Sequence, residues 1–214
     1  SLLQPGIIAM DMFFPSKDLG WWGNFSCLTC MDTWSRFCRC YALERKDYES
    51  TKRAMELFLR EFSSFGFLPR RILADKGTDL APAKEVIERY RLQRDGHHPL
   101  VIHSKTGQPV LIVEALQAQI QARMQIFRTS GLTDDPSSIL EDITDQINNQ
   151  KRPTRGNMTP LQLLYLSKEE REIVNSKHKV RALGSGVSLG LKELVVGNTV
   201  RILLMNRKEQ VKGG

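Results

Sequence analysis

Three acidic residues lie in or beside apolar segments, where a carboxylate can bind a metal ion. Asp11 interrupts the apolar run 7–14, Asp75 directly follows the apolar stretch 71–74, and Glu114 lies near the start of a segment with helical spacing. A carboxylate inside a buried strand costs several kcal/mol unless something compensates its charge. A divalent ion does so, and the hard cations Mg²⁺ and Mn²⁺ prefer oxygen ligands. The three residues therefore predict a magnesium or manganese site.

The surrounding segments predict a mixed sheet with helices on its faces. Apolar runs predict five strands, at residues 7–14, 25–31, 37–43, 71–74 and 100–103. Apolar residues at helical spacing predict helices that end near residues 64, 90, 127 and 149, and a short helix that opens at Thr159 and Pro160. The cap of the first helix is Asp47 or Ser50, and that of the helix ending near residue 149 is Ser137 or Ser138.

This order of elements indicates how the carboxylates meet. Right-handed crossovers bring the ends of neighbouring parallel strands together. If the first and fourth strands are adjacent, Asp11 and Asp75 lie side by side. The helix that carries Glu114 then crosses beside them.

Four cysteines form two close pairs, Cys27 with Cys30 and Cys38 with Cys40. Such spacing can hold zinc. Both pairs lie in predicted strands, however, where residues three apart point to opposite faces of the sheet. The sequence favours free, buried cysteines in a reducing compartment over a zinc site.

The net charge of +7 is concentrated near the C-terminus. Residues 1–149 hold 18 basic and 19 acidic residues, whereas residues 150–214 hold 13 and 5. A basic extension behind a nearly neutral domain suits a polyphosphate partner, but a solvated, partly disordered tail fits the same composition. No apolar run approaches the roughly 20 residues that span a bilayer, so we predict no membrane partner.

The motifs resemble those of retroviral and retrotransposon integrases, over about residues 5–204. The likeness is carried by AMDMF at residues 9–13, LTCMDTWSRF at 28–37, GFLPRRILADKGTDL at 66–80, VEAL at 113–116, Asn148-Asn149, Thr159-Pro160-Leu161 and VGNTVR at 196–201. The resemblance implies an RNase H-like fold with a mixed five-stranded sheet in residues 1–166. It also implies a basic linker at 167–190 and the start of a small C-terminal β-barrel at 191–214.

The resemblance further implies a polynucleotidyl transferase that uses two Mg²⁺ or Mn²⁺ ions. Asp11 would bridge both ions, Asp75 would hold one and Glu114 the other. Thr78 matches a position that faces target DNA in relatives. We expect further DNA contacts from Lys105, Gln108 and Arg123, and from a basic group made of Lys151, Arg152, Arg155, Lys177, Lys179 and Arg181.

The sequence also departs from the family pattern. Between Asp75 and Glu114 lie 38 residues, more than the commonest retroviral spacing and similar to integrases of some large self-synthesising DNA transposons. Gln117 replaces a frequent Asn, and Ala118 and Gln121 replace frequent lysines. We expect Asp32 to be a hydrogen-bond acceptor of a turn.

We therefore expect an integrase that processes DNA 3′ ends and joins them to a target duplex in the nucleus, as a homo-oligomer, either dimer or tetramer. One alternative is a domesticated relative that binds nucleic acid without catalysis. The other is a ribonuclease of the same fold, in which Asp145 or Glu49 would supply a fourth carboxylate.

Overall fold

The computed structural model describes residues 5–15, 25–74, 82–83, 85–86, 100–103, 111–130 and 135–184, without the side chains of 100–103, 111 and 177–184. The chain divides into two compact units, residues 1–175 and 176–214. The predicted linker end and β-barrel, at residues 185–214, lie outside the described residues.

The sheet is mixed, as the sequence predicted. Its strands are β1 (Ile7–Phe13), β2 (Ser26–Asp32), β3 (Cys38–Leu43), β4 (Arg71–Ala74) and β5 (Leu100–His103). They lie in the order β3-β2-β1-β4-β5. Strand β1 pairs antiparallel with β2 and parallel with β4, so the first and fourth strands are neighbours. The adjacency that the predicted metal site requires is therefore present.

Helices cover both faces of this sheet. On one face lies α1 (Tyr48–Ser64), and on the other lie α2 (Leu111–Thr129) and α3 (Pro136–Asn148). A 3₁₀ turn at Pro153–Arg155, the short α4 (Pro160–Leu164) and α5 (Lys168–Gly184) follow along the chain. Of the helix predicted to end near residue 90, the described residues 82, 83, 85 and 86 are helical. No helix in the described ranges is long and apolar enough to cross a membrane.

Alternation along the strands separates two apolar layers. Ile8 and Met10 of β1 pack on one face with Phe58 of α1. Ala9 and Phe13 pack on the other face with side chains of α2 and α3. Period-two alternation sends successive side chains to opposite faces, so a central strand feeds both layers.

The cysteines follow the same alternation. Cys30 belongs to the α1 layer, whereas Cys27, Cys38 and Cys40 belong to the layer under α2 and α3. All four are free and buried, as the sequence favours, while the reducing compartment stays a prediction. Burial raises the pKa of the Cys38 thiol to about 12. Buried thiols of this kind serve as packing residues.

Local capping explains most helix boundaries. Asp47 caps α1 by accepting a hydrogen bond from the Ser50 amide, and Thr159 opens α4 in a capping box with Gln162. The cap of α3 differs from the prediction. Asp135 caps it, accepting from the amides of Ser137 and Ser138, because Pro136 occupies the first helical position.

The segment predicted as a basic linker begins as a helix. Ser167 and Glu170 form a reciprocal pair in which each side chain accepts from the other residue's amide. This capping starts α5 at Lys168. This capping pair favours a helix in a stretch whose charged composition predicted a linker.

Candidate metal centre

Asp11 lies near the C-terminal end of the central strand β1, opposite Thr29 of β2. It is half-buried, and its two carboxylate oxygens have different partners. Oδ1 accepts from the Met12 amide at 2.9 Å, and Oδ2 accepts from Nε2 of Gln117 at 3.0 Å. Two donors therefore hold this carboxylate in a fixed orientation.

Gln117 belongs to the buried face of α2. Val113, Ile120 and Met124 anchor this helix on the sheet with no exposed surface, and Gln117 is 8% exposed among them. An amide this deeply buried needs a hydrogen-bond partner, and Asp11 supplies it. The bond therefore fixes the position of α2 relative to the end of β1.

Glu114 lies one helical turn before Gln117 and is exposed. Residues three apart on a helix are neighbours on its surface. Since Gln117 touches Asp11, the helix brings Glu114 to the neighbourhood of the same strand end. Asp11 therefore contacts the same helix that carries Glu114.

The third predicted ligand, Asp75, lies outside the described residues, as do Thr78, Lys105 and Gln108. Strand β4 ends at Ala74, and its parallel register aligns Leu73 with Ala9 of β1. Within the described ranges, no group of three or more His, Cys, Asp or Glu residues could hold a metal ion. The predicted triad of metal ligands therefore remains a prediction.

Asp32 has a different environment at the other end of the strand pair. It is completely buried and accepts from the Gly6 amide at 2.8 Å and from the amide and hydroxyl of Ser35, both at 2.7 Å. Burial raises its pKa, while the hydrogen bonds from Ser35 and Gly6 act in the opposite direction. As predicted, Asp32 is the acceptor of a turn.

The basic residues predicted to contact DNA fall into separate environments. Arg123 of α2 donates to the side-chain amides of Gln146 at 3.3 Å and Gln150 at 3.1 Å. It lines a cleft of about 420 Å³ together with Lys151 and Arg152. The other lining residues are uncharged, so the cleft carries a net positive charge that suits an anion.

Arg155, predicted to contact DNA, is buried. Its side chain is 7% exposed, and its guanidinium lies 5.9 Å from the ring centroid of Trp34. Lys177, Lys179 and Arg181 lie on α5, in the stretch whose side chains are not described.

The contact between Gln117 and Asp11 was missed by sequence reasoning, which noted only that Gln117 replaces a frequent Asn. Its spacing offered a signal, because a residue three positions after Glu114 shares the same helical surface. Its contact with Asp11 joins residues 106 positions apart, and no local pattern reveals such a contact.

Comparison of the fold with solved structures finds retroviral integrases. The HTLV-2 integrase catalytic core domain, in a magnesium complex in dimeric form, has a TM-score of 0.56 and 15% identity, covering 77% of this chain and 99% of that one. The BIV integrase catalytic core domain has a TM-score of 0.56 and 15% identity over 78% and 98% of the two chains.

A third match is the simian T-cell lymphotropic virus intasome in complex with the PP2A regulatory subunit B56 gamma. It has a TM-score of 0.60 and 17% identity, covering 78% of this chain and 57% of the other. No protein-family model and no curated protein matches the sequence. By its structure, this chain has the fold of a retroviral integrase catalytic core.

Proposed function

We propose that this chain is the catalytic part of an integrase, which trims DNA 3′ ends and transfers them to a target duplex. The observation that carries the proposal is the bond from Gln117 to Asp11. It holds the helix that bears Glu114 against the strand end that bears Asp11. The order and type of these residues match the acidic motifs of the resembled family.

The donor set fits a hard divalent cation. Asp11 and Glu114 offer carboxylate oxygens, and Mg²⁺ and Mn²⁺ bind such oxygens in preference to nitrogen or sulfur. Asp75 is the proposed third ligand, since it follows directly on Ala74 at the end of β4, next to β1. The HTLV-2 structure is a magnesium complex, which supports the same metal here.

Asp11, Asp75 and Glu114 would hold two ions, which would supply activation of the attacking oxygen and charge stabilisation of the leaving oxygen. Gln117 donates to Oδ2 of Asp11 and thereby orients this carboxylate as a ligand. Such support of a ligand is worth a factor of roughly 10–100 in metal affinity. No side chain of this protein needs to act as a nucleophile in this reaction.

The cleft beside Arg123 extends the proposed DNA path. Arg123 lies nine residues, or about two and a half turns, after Glu114, so it is about 14 Å farther along the axis of α2 and on the other side of that helix. Arg123, Lys151 and Arg152 would bind backbone phosphates beyond the immediate surroundings of the carboxylates. Thr78, Lys105, Gln108, Lys177, Lys179 and Arg181 remain proposed contacts from their sequence positions.

We propose a homo-oligomer acting on two DNA partners, the element ends and the target duplex. The dimeric HTLV-2 core supports an oligomer, and the simian intasome supports a DNA partner, while the distinction between element ends and target duplex rests on the sequence resemblance. The C-terminal β-barrel, the nuclear location and the kinship with large DNA transposons stay predictions from the sequence.

A strand-transfer assay with labelled DNA duplexes and Mn²⁺ tests the proposal. We expect products from the wild-type chain, none from Asp75→Asn and wild-type amounts from Asp142→Asn, which removes an exposed carboxylate on α3. Duplex binding without products in any variant would instead indicate a non-catalytic relative. Cleavage confined to RNA–DNA hybrids would indicate a ribonuclease.

A further inference from the structure

Three arginines converge at the end of the sheet opposite to Asp11. Arg36 lies in the turn after β2, and Arg152 and Arg155 lie in the segment that follows α3. The Arg155 guanidinium lies 5.9 Å from the ring centroid of Trp34, two residues before Arg36, and the Arg155 amide donates to the Arg152 carbonyl at 2.9 Å, so the three arginines share one region. Asp32 aligns with Ile8, three residues from Asp11, about 10 Å along the strands.

Two donor atoms of this cluster lack hydrogen-bond partners. Nη1 of Arg155 and Nε of Arg152 are buried and donate to nothing within the described part of the chain. The carboxylate of Asp32 is already occupied, because its oxygens accept from Gly6 and Ser35. Buried donors of this kind are rare in native proteins and point to a group that has not been accounted for.

Electrostatics indicate the sign of that missing group. Burial, then repulsion from Arg155 and Arg152, lowers the pKa of Arg36 to about 10, against the opposing effect of Asp32. Burial also lowers the pKa of Arg155. Three cations around one carboxylate carry an excess of positive charge, and an anion would relieve it.

The backbone adds an independent observation at Arg36. This residue has a φ of +69°, in the left-handed region that glycine and asparagine favour. It closes the hairpin between β2 and β3, where its amide donates to the Asp32 carbonyl at 2.9 Å. Strained positions of this kind cluster at functional sites, and here the strain places a cation beside the other two.

We propose that Arg36, Arg152 and Arg155 form a binding site for a phosphate group, supplied either by free inorganic phosphate or by the backbone of a nucleic acid. Guanidinium groups match phosphate oxygens with paired hydrogen bonds, and a doubly charged anion would balance the cluster. Arg36 and Arg152 are half-buried, so the site opens to solvent through them. Arg155 would form its floor, against Trp34.

The variant Arg36→Gly tests this site without threatening the fold, since glycine suits the left-handed backbone. Without phosphate, we expect Arg36→Gly to unfold at a higher temperature than the wild-type chain, because strain and repulsion are both relieved. With phosphate at about 100 times its Kd, the wild-type midpoint should rise by about 5–10 °C and that of Arg36→Gly should not. Sodium chloride at matched ionic strength and the exposed-site variant Arg128→Gln are the controls.

Binding to duplex DNA identifies the source of the phosphate. If the site holds a backbone phosphate, Arg36→Gly should weaken duplex binding and reduce the slope of log K against log salt by about one. If it holds the free anion, the duplex affinity stays unchanged while the thermal response to phosphate is lost. Equal responses of wild type, Arg36→Gly and Arg128→Gln in both measurements would overturn the proposal and leave buried water as the partner of these donors. Neither readout requires catalysis, so the outcome is independent of the proposed integrase activity.

Discussion

The two ends of the central strand pair hold carboxylates with opposite properties. Asp11 of β1 is half-buried and lies next to the helix that carries Glu114. Asp32 of β2 is completely buried and is surrounded by donors from a turn and by arginines. The residue type is the same, so the surroundings decide whether an aspartate is available to a ligand or is part of the framework.

We expect the largest loss of stability from a substitution at the buried end, at Asp32. Asp32→Ala leaves the amides of Gly6 and Ser35 without an acceptor and the arginine cluster without its carboxylate. We expect the free energy of unfolding to fall by about 3–5 kcal/mol, measured by urea titration. Asp11→Ala should cost only about 1 kcal/mol. Equal costs for the two variants would contradict the distinction between the two ends.

The second prediction concerns metal affinity at the half-buried end, at Asp11. Gln117→Met removes the amide that donates to Asp11 but keeps an unbranched side chain of similar size. We expect the Mn²⁺ concentration for half-maximal strand transfer to rise roughly 10–100-fold, with a loss of stability of about 1 kcal/mol. Gln119→Met, on the exposed face of the same helix, is the matched control. An unchanged Mn²⁺ requirement would show that Gln117 does not position Asp11.

The third prediction concerns how the stability that Asp32 contributes depends on pH. Burial raises the pKa of Asp32 above its ordinary value of 3.8, so the folded chain binds this proton more tightly than the unfolded chain does. The stability that Asp32 contributes is therefore complete below about pH 4 and declines as pH rises through the raised pKa. Unfolding by urea across pH 4–7 should show the advantage of wild type over Asp32→Asn shrinking with pH. An advantage that grows with pH would reverse the sign of this prediction.

The smallest effect concerns the cleft beside α2. Arg123→Gln should leave the free energy of unfolding almost unchanged, because Arg123 donates to the neutral amides of Gln146 and Gln150 rather than to a carboxylate. We expect duplex binding to weaken equally for all DNA sequences and its salt slope to fall by about one. Arg128→Gln serves as the control, and an identical loss in both variants would argue against a specific role for the cleft.

Much of this architecture could be predicted from local sequence patterns. The interruption of an apolar strand by Asp11 and the first-turn position of Glu114 are enough to indicate the candidate site. The contact of Gln117 with Asp11 could not be predicted, because it depends on how a helix packs across the sheet. The burial of Arg155 was missed for the same reason, since the aromatic surface that receives it belongs to a distant turn.

Local sequence rules were also insufficient where more than one residue could cap a helix. Ser137 and Ser138 were both suitable caps for α3, but Asp135 precedes a proline at the first helical position and captures both serine amides. The helical start of α5 was hidden by a composition that suits a linker equally well. In both cases the decisive interaction was a side chain binding the backbone two or three residues away.

The proposal that Asp11 and Glu114 bind a divalent metal is tested most directly by Mn²⁺ binding to the free protein. The paramagnetic signal of the unbound ion reports this binding. We expect the wild-type chain and Asp142→Asn to bind Mn²⁺ alike, whereas Asp11→Asn and Glu114→Gln each lose most of that binding while remaining folded. Equal Mn²⁺ affinity and stoichiometry in all four proteins would contradict it.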